Sequence, residues 1–479
     1  MRKSEATDQA FPEPVIHYIE SLANRREYAA VVNYYENNRS EIEGLGGART
    51  ANSLRQIAKA YASLNNHSAA LKISRLAQKK ASEENDSDLL GEIFVAVANS
   101  LVQLGEYKEA EKAYRDAESI FRRNDNSEGQ CRSLNLLSGL FFKRNDFQNS
   151  METLSEALIL ARKLNDSKKI AYMLGNLGRI MTFLGEFDEA IKQLRLNIAL
   201  SSELEDWLEV GRAHLSLAYV QIQTGNYDDA QKYLAGAYLH IETSGSQHDK
   251  VIYLTYLGEL YRGQNRFEAS EEALRKGLLL AEEAAPESLL CGRVLRQLAE
   301  LYVQQENYSA ASRVAARAMS ILQKIENKVE IGALLKLKAV IADYKNDIEQ
   351  CQQLFNKSFE ILGEAGVRFV KADALAAAGR CPTFSNRSRL IYFFRAEEYF
   401  TRIRNVVRLE EIGSLISGLS DGNSDGLNSP RVNERPEQVT GYLTRCDEIN
   451  RFLNQLSIIG RMDLPILLLG ETGVGKDHL

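Results

Sequence analysis

An all-α solenoid of helical hairpins is the fold class this sequence predicts, and three observations predict it. An aromatic-type position recurs about every forty residues, small residues hold fixed places around it, and no proline stands between Pro14 and Pro286. Proline removes a backbone donor and breaks helix interiors. A long run without it, rich in Ala, Leu, Glu, Lys and Gln, therefore reads as helix.

The recurring column is Tyr28, His67, Tyr107, Phe147, Phe187, Tyr227, Phe267, Tyr308 and a degenerate Ile348, in steps of 39, 40, 40, 40, 40, 40, 41 and 40. Three residues later stand Val31, Ala70, Ala110, Ser150, Ala190, Ala230, Ser270, Ala311 and Cys351. Ten residues after it come Ala77, Ala117, Ala157, Ala237 and Ala318, with Asn197 and Gly277 as exceptions. Nine residues before it are Ala58, Ala98, Ser138, Gly178, Ala218, Gly258, Ala299 and Ala339. Six before it are Tyr61, Leu101, Phe141, Met181, Tyr261 and Tyr302, with polar Gln221 the outlier. Two before it lie Asn65, Gly105, Asn145, Gly185, Gly225, Asn265 and Asn346, which tolerate the left-handed backbone of a tight helix–helix turn. A second set of turn formers, Asp86, Asn126, Asp166, Asp206, Ser246, Pro286 and Asn327, has the same period. Each unit therefore reads as helix A, a turn, helix B and a loop. In the third unit Tyr107, Ala110, Tyr114, Ala117 and Phe121 form one apolar stripe along helix B. A single hairpin cannot bury such a stripe, so neighbours must stack.

This pattern resembles the tetratricopeptide repeat (TPR), whose usual unit is 34 residues; a period of forty implies longer helices. The resemblance covers 15–365, as eight to nine units, after a flexible N-terminus at 1–14. Residues 366–417 read as a degenerate repeat or capping helices. The resemblance implies a groove lined by the A helices that takes a peptide or protein ligand. Its groove-facing positions here are Asn99, Arg179, Tyr219, Glu259 and Glu300, with Asn135 and Asn176 nearby. Their mixed chemistry suits a protein segment and does not suit a phosphate backbone.

The 479 residues carry a net charge of −6 and no basic patch, which argues against direct nucleic-acid binding. A composition of 44% hydrophobic and 26% charged residues excludes wholesale disorder. The first residues lack a secretory apolar core, and the run PILLL is too short to cross a bilayer, so a cytoplasmic, membrane-free setting is expected. Cys131, Cys291, Cys351, Cys381 and Cys446 are odd in number, far apart and never spaced C-x-x-C. That spacing argues against a disulfide framework or a zinc site. None of His17, His67, His214, His240, His248 and His478 forms a metal-spaced pair, so no metal ligands and no catalytic residues are expected in the repeats.

Residues 418–437 read as a linker, with SDGNSDGLNSPRVNERP at 420–436 rich in Gly, Ser, Asn, Asp and Pro. At 438–479 the pattern turns α/β: a helix candidate EINRFLNQLSII, a strand candidate DLPILLL, then Gly470-Glu471-Thr472-Gly473-Val474-Gly475-Lys476-Asp477. G-x-x-x-x-G-K after a strand is the context of a phosphate-binding loop. With an acidic residue after the lysine, the segment is similar to the start of the AAA+ module of σ54-dependent transcriptional activators. By that resemblance Gly470, Gly473, Gly475 and Lys476 cradle a nucleotide, and Asp477 replaces the usual Mg²⁺-holding Ser/Thr. The rest of such an ATPase is not in these residues. ATP/Mg²⁺ and σ54-RNA polymerase are thus expected only for a longer form, and the chain itself is expected not to be an enzyme. The expected function is the sensor arm of a σ54-dependent regulator. The alternatives are a stand-alone TPR scaffold for protein–protein interaction with a vestigial loop, and a nucleotide hydrolase in its own right.

Overall fold

The computed structural model describes residues 13–82, 87–244 and 246–421. The nucleotide-loop residues Gly470, Gly473, Gly475, Lys476 and Asp477 lie outside them, as does the rest of the α/β fragment expected at 438–479. Among the described residues the chain is helical and holds no strand. It opens with α1 (Glu13–Asn24), α2 (Tyr28–Asn37) and a short α3 (Arg39–Gly44). Eight A–B repeats follow: α4 (Ala48–Ser63) and α5 (His67–Ser82), α6 (Ser87–Leu104) and α7 (Tyr107–Arg123), α8 (Ser127–Lys143) and α9 (Phe147–Lys163), α10 (Ser167–Leu184) and α11 (Phe187–Glu203). Then come α12 (Trp207–Gln223) and α13 (Tyr227–Ser244), α14 (Gln247–Gly263) and α15 (Phe267–Ala284), α16 (Leu289–Gln304) and α17 (Tyr308–Ile325), α18 (Lys328–Tyr344) and α19 (Ile348–Glu364). The last are α20 (Arg368–Arg380), α21 (Asn386–Arg402) and α22 (Val406–Asp421).

Every member of the aromatic column is the first residue of a B helix. Before it the backbone turns left-handed at Asn65, Gly105, Asn145, Gly185, Gly225, Asn265, Glu306 and Asn346. Reversed hydrogen bonds such as Glu106 N–H to the Leu101 carbonyl (2.9 Å) tie off the last A-helix carbonyls there. Asp86 of the second set of turn formers lies outside the described residues; most of the others cap A helices. Asn126, Asp166, Asp206, Ser246 and Asn327 each accept the backbone N–H three residues on. At Pro286 the cap falls two residues later, on Ser288, which accepts from the Cys291 N–H. The outlier Gln221 is buried and accepts from Asn226 Nδ2 (3.0 Å), which steadies its turn.

The small columns meet where helices A and B touch. Ser138 Oγ donates to the Ser150 carbonyl (2.9 Å), and Ser270 Oγ donates to the Gly258 carbonyl (2.8 Å). A Cβ on Gly258 would stand 2.5 Å from Leu274 Cγ. Side-chain size at these positions therefore sets how closely the two helices approach.

The described residues divide into two compact units, the first within 13–182 and 188–216 and the second within 183–187 and 217–421. The first has a continuous core from Ile19 to Phe141, built on Leu54, Ile57, Ile93, Leu101 and Phe121. The second has a core from Val251 to Ile341 that includes Leu274, Leu298, Leu322 and Leu334. Its last helices also pack onto its earliest residues. Asn405 Nδ2 donates to the Gln223 carbonyl (3.0 Å) across 182 residues, and the Phe369 ring lies 5.9 Å from Phe187. A Cβ on Gly185 or Gly225, both left-handed at φ 79°, would come within 2.8 Å of Ile403 or 3.0 Å of Val407.

Three boundaries differ from expectation. The first helix begins at Glu13, inside the stretch expected to be flexible. The helix α3 lengthens the first unit and had no counterpart in the repeat pattern. Helix α22 runs to Asp421, past residue 418 where the linker was expected; its Ile412 and Ile416 are buried, so apolar packing carries it into the Gly/Ser-rich composition.

Candidate functional site

In the second unit the A helices α14, α16, α18, α20 and α22 turn charged side chains into two cavities that share walls, of about 100 and about 680 Å³, and the end of α12 adds Tyr219, Ile222 and Gln223. Between them runs an unbroken alternation of charge. Arg293 Nε donates to Glu330 (2.9 Å), and Glu330 takes Arg296 Nε (2.5 Å). Arg296 Nη1 reaches Glu300 (3.1 Å), and Lys336 Nζ bridges Glu300 and Asp373 at 2.6 Å each. Arg408 then faces Asp373 (3.8 Å) and Glu411 (2.8 Å), and Glu411 takes Arg380 (2.6 Å). One-turn spacing on α16 and α22 and two-turn spacing on α20 aim these groups at one side, and the neighbouring A helices α14 to α20 pack against one another in order.

Lys336 is only 6% exposed, and at this depth an ammonium is tolerated because two carboxylates compensate it. Burial works to raise the Glu330 carboxyl, but Arg296 and Arg293 outweigh it and hold it at about 2. Burial likewise works against Glu300 and Asp373, and Lys336 leads the cations that keep both low. Glu259 behaves differently. It is 3% exposed, has no cation within ion-pair distance, and accepts only from Gln223 Nε2 at 3.4 Å. Burial therefore dominates, against the pull of Arg296 and Arg262, and pushes its carboxyl up to about 7. Arg262 is the least satisfied cation: Glu300 is 3.9 Å away and its buried Nε has no partner. Tyr219 stacks on Tyr256 (4.9 Å between ring centres, 25°) and closes one wall.

The groove positions taken from the sequence fall into two groups. Tyr219, Glu259 and Glu300 line the ion-lined cavities of the second unit. Asn99, Asn135, Asn176 and Arg179 line a cavity of about 300 Å³ in the first. There Tyr114 donates to Asn99 Oδ1 (2.6 Å), and Arg179 bonds Asn176. Sequence reasoning missed Arg262, Arg293, Arg296, Glu330, Lys336, Asp373 and Arg408. Their signal was a pairing of opposite charges 34–37 residues apart. Two of the widely spaced cysteines meet in the fold. Asp343, Cys351 and Cys381 are buried with their ligand-type atoms all within 4.8 Å of one another.

Comparison with known proteins agrees with the repeat architecture. The family described as "Tetratricopeptide repeat" matches 169–238, 209–283 and 249–324, and a second family of that description matches 91–124. Among curated proteins, tetratricopeptide repeat protein 29 of Macaca fascicularis is 25% identical over 149 residues, 31% of this chain and 31% of that protein. Its Homo sapiens counterpart is 24% identical over 149 residues, with the same shares. The chain thus matches less than a third of the length of these relatives. Among solved structures, the apo form of RapI superposes with a TM-score of 0.51 at 16% identity, over 58% of this chain and 98% of that one. Aspartyl phosphate phosphatase F from Bacillus subtilis gives 0.51 at 12% identity, over 67% and 96%. At such identities the likeness is one of fold. No helix among the described residues is long and apolar enough to cross a membrane. With two family matches, the repeat columns and the A–B helix order in agreement, this chain carries tetratricopeptide repeats stacked as an all-helical solenoid.

Proposed function

We propose that the chain is the sensor region of a σ54-type regulator, and that it binds a peptide or protein segment in the ion-lined cavity of the second unit. The observation that carries the reading is the convergence of six A helices on that one cavity. A volume of about 680 Å³ lies within the range of ligand pockets. Its wall offers the chemistry of a peptide: Arg262 as a donor with unused capacity and Glu259 as a carboxyl able to donate or accept near neutral pH, while the stacked Tyr219 and Tyr256 add an apolar face in the adjoining 100 Å³ cavity. Arg408 and Glu411 carry the wall onto α22, the last described helix before the stretch at 420–436 and the Gly470–Lys476 motif. A ligand that shifts α22 would act along that path on a downstream ATPase using ATP and Mg²⁺, and through it on σ54-RNA polymerase.

The test screens a random peptide library against the purified chain, then repeats the measurement with Arg262→Ala. A charged hydrogen bond contributes about 1.5–3 kcal/mol, so R262A is expected to weaken the selected peptide about 10–100-fold. A library without binders, or a binder indifferent to R262A, overturns the assigned cavity. Deletion of the repeats in the cell tests the regulatory half: σ54-dependent transcription that stays equally responsive overturns it.

A further inference from the structure

Asp343, Cys351 and Cys381 come from three successive helical elements. Asp343 is in the last turn of α18, Cys351 is in the first turn of α19, and Cys381 is the residue that ends α20. The three side chains are buried, and their donor atoms all lie within 4.8 Å of one another. We infer that these three side chains form a transition-metal site of the Zn²⁺ class, with a remaining position open to the 680 Å³ cavity. This inference stands independently of the ligand proposed above.

Three observations support it. The first is fit. A tetrahedral ion with M–S of about 2.3 Å and M–O of about 2.0–2.2 Å sets its ligands about 3.5–3.8 Å apart, so the three groups close on an ion with shifts of about 1 Å or less. The second is support for the carboxylate. The Thr383 hydroxyl and its backbone N–H (3.3 Å) both donate to Asp343 Oδ1, which fixes the carboxylate and leaves Oδ2 for the ion. Hydrogen bonds of this kind orient ligands in metal centres. The third is access. Asp343 and Cys381 both line the cavity, so an ion and a water molecule have a route to the site. Two thiolates with one carboxylate favour Zn²⁺ or Co²⁺ over Mg²⁺ or Ca²⁺. Cys351 also holds the small-residue column that is alanine in five other repeats and serine in two, so a cysteine there is not required by packing. Binding is a proton exchange: the ion enters, both S–H bonds release their protons to solvent, and two thiolate–metal bonds and one carboxylate–metal bond form.

Co²⁺ serves as the probe, titrated into the reduced, metal-stripped full chain. The expected result is a thiolate-to-cobalt charge-transfer band with tetrahedral visible bands, saturating at one equivalent and displaced by Zn²⁺. Cys351→Ala, which places there the residue of the preceding repeat, Ala311, and Cys381→Ala remove the band while the helical circular dichroism stays. Cys291→Ser leaves it intact. Thr383→Val keeps all three ligands and weakens binding about 10–100-fold. No thiolate band, or a band that survives C351A, overturns the site. So does a Cys351–Cys381 disulfide found when thiols are trapped at lysis, which makes the pair a redox crosslink.

Discussion

Replacing Lys336 with methionine keeps most of the side-chain volume and deletes the one cation that bridges Glu300 and Asp373. Both carboxylates sit 2.6 Å from its Nζ, and Lys336 is 6% exposed, so water does not take its place cheaply. Glu300 retains Arg296 at 3.1 Å, but Asp373 is left with Arg408 at 3.8 Å. Removing one partner of a buried ion pair costs about 3–5 kcal/mol, because it strands the other charge. At about 2–4 °C per kcal/mol for domains of a few hundred residues, K336M should lower the melting temperature by about 6–20 °C. The assay is thermal denaturation at pH 7, followed by circular dichroism at 222 nm. The triple variant Lys336→Met, Glu300→Gln, Asp373→Asn leaves Arg296 with Glu330 and Arg408 with Glu411, loses only the 3.9 Å pair of Arg262 with Glu300, and should recover much of the loss. A K336M protein that melts within about 1 °C of the parent would refute the desolvated-bridge argument. A triple variant no better than K336M would refute the assignment of the loss to stranded charge.

Three further outcomes follow from the same geometry. A carboxyl whose folded pKa lies above its unfolded value of 4.5 holds its proton more tightly when folded, so burial of Glu259 destabilises the chain as pH rises from about 4.5 to about 7. Glu259→Gln should remove that slope and stabilise the chain above pH 7 by up to about 3 kcal/mol, read by urea denaturation at pH 5 and pH 8. Gly258→Ala forces a methyl to 2.5 Å from Leu274 Cγ and should cost about 1–3 kcal/mol, with the loss eased by Leu274→Ala. Glu306 is exposed and holds a left-handed φ of 58°, so Glu306→Gly should raise stability by about 0.5–1 kcal/mol in the same denaturation assay.

The hairpin architecture was legible because every column has a packing job. Ser138 against Ser150 and Gly258 against Ser270 must be small, and Asn65 or Gly105 must turn left-handed, so chemistry repeats wherever geometry repeats. The left-handed Glu306 and Glu326 escaped notice because neither is a residue type that favours that conformation. The ion chain was hidden for a different reason. Arg293 meets Glu330 37 residues on, and Glu300 meets Lys336 36 residues on, about one helical turn short of the forty-residue period. A reading by columns finds Glu259 and Glu300 but not their partners. The thiol pair was hidden because spacing rules assume that one loop carries neighbouring ligands, whereas Cys351 and Cys381 come from different repeats. The helix α3 has no repeat to be compared with, so periodicity could not announce it.

The bond from Asn405 to Gln223 changes what kind of object the second unit is. A strip of repeats has two loose ends and can peel from either, since each repeat answers only to its neighbours. Here the last helices are fastened 182 residues back along the chain, and the strip becomes a hoop. A flexible loop of that length would lose about 4–5 kcal/mol of entropy on closing, so the clasp should form late, after the stacked repeats have brought its halves together. Once shut, it denies peeling a starting point at α22, and hydrogen exchange in α22 should track α12 and α14 more closely than its place in the sequence suggests. A wedge under the clasp, such as Gly225→Val against Val407, should return the hoop to a strip and let α22 exchange first.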